Sequence, residues 1–84
     1  MSRMSEANVE RVKSNVLRIL FDEAPGTISA TAIAIMEARD KQFILKLLGE
    51  LEKQKVVKNV SKDFSRKKYW ALTDDAYRKY KELL

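Results

Sequence analysis

With 84 residues, 45% of them hydrophobic, the chain has apolar side chains for one compact core and no length for a second, since a chain of this size buries only about 60% of the surface it exposes when unfolded. It contains neither cysteine nor histidine, which removes thiolate and imidazole metal sites, iron–sulfur clusters and Ser-His-Asp or Cys-His catalysis, and leaves a non-enzyme with no catalytic residue, metal or cofactor as the expectation. The formal net charge of +5 favours a polyanionic partner but does not by itself establish one. No run approaches the roughly 18 to 20 apolar residues of a membrane span. The start, Met1-Ser2-Arg3-Met4-Ser5-Glu6, lacks the apolar core of a signal peptide, so a soluble intracellular protein without membrane contact is expected.

Val9, Val12, Val16, Ile19 and Leu20 recur at helical spacing, and Ser5 stands where an N-cap accepts from free amides, which predicts a first helix over 5–23. Ala24-Pro25-Gly26 ends it, because proline disfavours helical geometry in its predecessor and glycine permits turns closed to other residues. After a short extended piece at Thr27-Ile28, Ser29 caps a second helix over 29–38, whose alanines allow close approach to a neighbour. The alternation of Ile33 and Ile35 suits a strand equally well. Asp40 then caps a third helix over 40–55, in which Phe43, Ile44, Leu47, Leu48 and Leu51 trace a core-facing stripe.

Val56, Val57 and Val60 favour a strand, Ser61 to Lys67 a loop, and Tyr69-Trp70-Ala71-Leu72 a returning strand, giving a β-hairpin over 56–72. On the second strand Trp70 and Leu72 share a face and belong to the core, while Tyr69 points away. Thr73 caps a last helix over 73–84, with Asp74 and Asp75 in its first turn, where negative charge complements the helix end. Tyr77 and Tyr80 fall on one side of it, to pack on the first helix or to form a two-fold contact. The whole chain thus reads as one mainly α (α+β) domain of three helices, a hairpin and a short C-terminal helix.

The charge is confined. Between Lys55 and Lys68 six cations, Lys55, Lys58, Lys62, Arg66, Lys67 and Lys68, face the single Asp63, so this segment carries the entire net charge and the remainder of the chain is neutral. Two short helices joined by a tight turn and followed by a basic ribbon form the winged helix-turn-helix arrangement. Lys68-Tyr69-Trp70-Ala71-Leu72-Thr73-Asp74-Asp75-Ala76 resembles the second wing strand and following helix start of MarR-, PadR- and ArsR-type regulators, in which an aromatic, a leucine and a threonine occur in that order. Leu47 to Val57 resembles the end of their recognition helix and its passage into the wing. The resemblance spans Thr27 to Leu84 and implies a transcriptional regulator that binds duplex DNA sequence-specifically and is cytoplasmic or nucleoid-associated. The chain departs from that pattern in having Gln54-Lys55 where these families usually place a glycine, and in offering little beyond the first and last helices for dimerisation or ligand sensing.

On this reading the third helix enters the major groove with Arg39, Lys41, Gln42, Leu45 and Lys46 at its reading end: glutamine pairs with adenine, and the cations reach guanine or phosphate. The competing reading of this face is an ordinary solvated one. Leu45 and Gly49 fit neither; they contact a thymine methyl and a backbone, or mark a protein interface. In the wing, Lys58, Lys62, Arg66, Lys67 and Lys68 neutralise phosphates or enter the minor groove, against the plainer role of lysines that protect a strand edge. Phe64 is expected to fold back on the hairpin. A homodimer through the first and last helices is a further expectation. The alternatives are a winged helix that serves as a protein-interaction module of a larger assembly, and a chromosomal DNA-coating protein without sequence preference.

Overall fold

The computed structural model describes residues 6–60 and 68–83. Seven elements follow in chain order: α1 (Glu6–Glu23), β1 (Ile28–Ser29), α2 (Ala30–Glu37), α3 (Lys41–Lys53), β2 (Val57–Asn59), β3 (Tyr69–Leu72) and α4 (Asp74–Leu83). The helix, helix-turn-helix, hairpin, helix order expected from the sequence is observed; Ser5 and Leu84 lie outside the described residues.

The helices bury the stripes their spacing marks out. Val12, Val16 and Leu20 of α1, Ala30, Ile33 and Ala34 of α2, and Ile44, Leu47, Leu48 and Leu51 of α3 meet Val57, Trp70 and Leu72 of the sheet in one core. Each large aliphatic side chain so buried contributes about 1.5–3 kcal/mol relative to an exposed one. Phe43 and Leu45 are half-buried against this core: Phe43 sits less deep than its place in the apolar stripe implies, and Leu45 deeper than a solvent-facing position would. Trp70 and Leu72 are buried as their shared face requires, and Ala71, on the other face, is covered as well. The Trp70 indole N–H is buried without a hydrogen-bond partner among the described residues.

The sheet contains one strand more than the hairpin. Its order is β1-β3-β2, and both pairings are antiparallel: Ile28 lies opposite Trp70 and Ser29 opposite Tyr69, while Val57, Lys58 and Asn59 lie opposite Leu72, Ala71 and Trp70. Ser29 therefore ends a strand and caps a helix at once, its Oγ accepting from the Ala32 N–H at 3.1 Å. This narrows the second helix to Ala30–Glu37 from the 29–38 expected.

The turn after α1 contains a cis Ala24–Pro25 peptide bond. Gly26 there does not take a left-handed conformation. It is needed because a Cβ would lie 2.9 Å from the Glu23 carbonyl oxygen, to which its own N–H donates at 2.7 Å.

The left-handed positions lie elsewhere, at Ala38 (φ 52) and Lys55 (φ 62). Each closes a helix in the same way. The Ala38 N–H donates to Ile35 and the Arg39 N–H to Ala34; the Lys55 N–H donates to Glu52 and the Val56 N–H to Leu51. These bonds satisfy the free carbonyls of the last turn, in a geometry usually reserved for glycine. The third helix consequently stops at Lys53 rather than Lys55, and Lys55 itself supplies a turn more usually made by glycine. Thr73 braces this junction: its hydroxyl donates to the Lys55 carbonyl at 2.9 Å and accepts from the Ala76 N–H at 3.2 Å, and its own N–H donates to the Val56 carbonyl at 3.0 Å. An L-residue in the left-handed region is strained by about 1–2 kcal/mol, partly offset when glycine's looser unfolded state is counted, so Lys55→Gly is expected to stabilise the fold by about 0.5–1 kcal/mol. Urea unfolding would register this as a raised midpoint at unchanged slope.

Candidate nucleic-acid interface

The geometry of this region is set by two caps and a strand pair. Asp40 accepts from the Gln42 N–H at 3.2 Å and starts α3 directly after the left-handed turn at Ala38. The small buried Ala30 and Ala34 of α2 let that helix lie close against α3. On the far side of α3, Lys13 of α1 bridges Glu50 at 3.5 Å and Glu10 at 3.8 Å, and Asn15 of α1 donates to Glu37 of α2 at 2.9 Å. Lys13 is half-buried and its carboxylate partners lie at the surface, and surface pairs of this kind add about 1 kcal/mol or less each, so they orient the helices more than they hold them.

What remains outward on α3 is a stripe. Gln42, Lys46, Gly49 and Lys53 succeed one another at four- and three-residue steps, opposite the buried Ile44, Leu47, Leu48 and Leu51. Gln42, Lys46 and Lys53 are exposed, as are Lys41, Glu52 and Arg39 beside the stripe, Arg39 lying in the turn between α2 and α3.

The strand pair between β1 and β3 brings the base of the wing to this face. The Ala30 N–H donates to the Lys68 carbonyl at 3.3 Å, which fixes Lys68 at the start of α2. Lys68 and Lys41 then line one shallow cleft of about 100 Å³ with Ala30, Thr31 and Leu45. Two cations distant in sequence thus share a concave surface that, among the described residues, no acidic side chain lines. Leu45, which the sequence leaves between core and surface, belongs to both: it packs on the core and forms the apolar floor of this cleft. Thr31 is the member that sequence reasoning misses; its place two residues after the Ser29 cap is the only local signal for it.

Lys58 lies elsewhere. It pairs with Ala71, while its neighbours Val57 and Asn59 pair with Leu72 and Trp70. Alternation along the strand therefore puts it on the face turned away from the core, where it lines a separate cleft of about 370 Å³ with Pro25, Gly26, Asp74 and Tyr77. Of the five wing cations Lys58 and Lys68 lie among the described residues, and Lys68 is the one that lines a cleft with residues of α3; Lys62, Arg66 and Lys67, with Phe64, lie outside the described residues. Tyr77 and Tyr80 are taken up within the molecule, their ring centroids 4.9 and 4.8 Å from that of Phe21 in α1. Among the described residues no group of three or more carboxylate, thiol or imidazole side chains could hold a metal ion, and no helix is long and apolar enough to cross a membrane.

This arrangement, a helix-turn-helix backed by a three-stranded sheet with a hairpin beside the second helix of the motif, is a winged helix. Its likeness to solved structures supports that assignment. The chain superposes on the S. aureus MepR–DNA complex with a TM-score of 0.76 at 18% identity, over 93% of this chain and 68% of that one. It superposes on Lactococcus lactis ZitR, a zinc-responsive MarR family member, with a TM-score of 0.71 at 22% identity over 98% of this chain and 52% of that one. A ZitR mutant in complex with DNA matches with a TM-score of 0.71 at 23% identity, over 96% of this chain and 56% of that one. The chain spans about half the length of these two ZitR structures and of three further ZitR mutant structures that it matches. No protein-family model and no curated protein matches it, so the likeness is one of fold, and the fold is that of the MarR-type winged helix. Because Asp40 alone caps the helix that carries the exposed stripe, Asp40→Ala is expected to destabilise the domain by about 1 kcal/mol, and hydrogen exchange would show the loss first at the Gln42 and Phe43 amides.

Proposed function

We propose that this chain is a sequence-specific duplex-DNA-binding protein acting as a transcriptional regulator, with α3 reading the major groove and the basic wing contacting phosphates or the minor groove. The observation that carries this is the convergence of Lys41, on the first turn of α3, and Lys68, at the base of the wing, on one cleft beside an outward stripe that holds Gln42 and Lys46. A wing and a recognition helix that shared no face could not engage one duplex together. That two of the similar structures are complexes with DNA supports the same reading. The division of labour follows from reach: Gln42 and Lys46, with Arg39, address base edges or phosphates from the groove, while the wing cations other than Lys58 add sequence-independent attraction. The protein performs no chemistry on its partner, and acts inside the cell, in the cytoplasm or on the nucleoid.

The dimer belongs to this proposal. α1 and α4 pack through Phe21, Tyr77 and Tyr80, yet leave a groove of about 340 Å³ lined by Leu17, Val56, Leu72, Ala76 and Leu83, and Leu83 is 84% exposed. A second copy seated there would place two recognition helices on two half-sites. The alternative of a protein-interaction module is favoured by one observation: α2 is apolar on its outer side as well, with Ile35 75% and Met36 58% exposed.

Fluorescence anisotropy of duplex DNA across a salt series tests the proposal. Affinity is expected to fall steeply with salt while a subset of sequences stays tightly bound; binding without preference would indicate chromosome coating, and no binding at low salt would contradict the proposal. Lys41→Ala and Lys68→Ala should each flatten the plot of log affinity against log salt by about one unit. Lys13→Ala, on the opposite side of α3, should leave the slope unchanged. Reversal of Lys67 and Lys68 to glutamate should abolish binding with the circular dichroism spectrum intact.

A further inference from the structure

Gly49 stands in the middle of α3, where the fold gives no reason for a glycine. It has no positive φ, and a Cβ built on it meets nothing within 4 Å. Alanine would fit without displacing an atom, and it would stabilise the helix by removing the entropic cost of glycine in a helix interior. The position is not arbitrary on the surface. Gly49 belongs to the outward stripe, with Lys46 three residues before it and Lys53 four residues after it, both exposed; Glu50 points to the other side, where it bridges Lys13. A bare patch of helix backbone is therefore flanked along the axis by two exposed cations, with the exposed Glu52 to one side, on the same side of the molecule as Gln42 and next to the cleft that holds Lys41 and Lys68.

We infer that the backbone of α3 at Gly49 seats the sugar–phosphate backbone of duplex DNA in van der Waals contact, between Lys46 and Lys53, and that Gly49 thereby sets how deeply the recognition helix sits in the groove. The chemistry of the surroundings selects this occupant. Cations above and below a side-chain-free stretch of helix match a negatively charged backbone, and a close approach of main chain to a ligand is a role in which glycine has no substitute. The inference rests on the DNA-binding reading and deepens it: Gly49 is a positioning residue for docking rather than a reader of bases.

The test uses the full chain carrying Gly49→Ala, Gly49→Leu or, as a reference, Lys46→Gln, and a duplex selected from a random pool by the unaltered protein. Gly49→Ala should raise the melting temperature by about 4–8 °C and yet weaken duplex binding. Gly49→Leu should bind at least about tenfold more weakly than the unaltered protein, with an unchanged salt slope because no cation is lost. Lys46→Gln should weaken binding and flatten the slope. If both Gly49 variants bind as the unaltered protein does while Lys46→Gln is impaired, the seat at Gly49 is overturned and DNA binding by α3 stands. If the unaltered protein selects no duplex and binds none at low salt, the DNA reading and the seat fall together.

Discussion

The pairing of β3 on both of its edges is the constraint on which the rest of the structure depends. Against β2 it makes the hairpin; against the two residues of β1 it ties that hairpin to the start of α2. A hairpin held only at its own closing turn would swing relative to the helices, since an isolated two-stranded ribbon has little stability of its own. Here the Ser29–Tyr69 pairing and the bond from the Ala30 N–H to the Lys68 carbonyl anchor the wing base beside α3. The buried Trp70, opposite Ile28 on one side and Asn59 on the other, fills the core behind this junction. The shared cleft of Lys41 and Lys68 is a consequence of that pairing, and the proposed docking face is a consequence of the cleft.

The two ends of α3 are held by different means. Asp40 fixes the start by satisfying an amide; a strained lysine and a threonine fix the end, Lys55 making the left-handed turn and Thr73 bonding its carbonyl. Thr73 also caps α4, so one side chain couples the end of α3, the entry into β2 and the last helix. α4 in turn lies on α1 through Phe21.

The helices were legible because their signals are local. The apolar spacing of α1 and α3, the caps Ser29, Asp40 and Thr73, and the break at Pro25 all act within a few residues, and they recover the winged-helix order. What was not legible depends on residues far apart. β1 has two residues and no periodicity, so nothing before Tyr69 announces its partner. The half-burial of Leu45 comes from its packing on the core at the edge of a cleft shared with Lys68, and the choice between the two contacts open to Tyr77 and Tyr80 falls to Phe21 of the first helix. Lys58 and Lys68 look alike in a run of charge; alternation separates their faces, but only the sheet's placement shows that the face of Lys68 is the one that meets α3. The absence of glycine at the α3–β2 junction was visible, and the sequence could not show that Lys55 itself would take the left-handed turn.

The central claim is that α3 and the wing base form one DNA-docking face, and amide chemical-shift mapping of the isotopically labelled protein with a selected duplex tests it most directly. Shifts are expected to cluster on Thr31, Arg39, Lys41, Gln42, Leu45, Lys46, Gly49 and Lys68, while Lys58 and the amides of α1 and α4 stay still except where a second copy docks. Shifts confined to α2 around Ile35 and Met36, or to the α1–α4 groove with α3 unmoved, would contradict it.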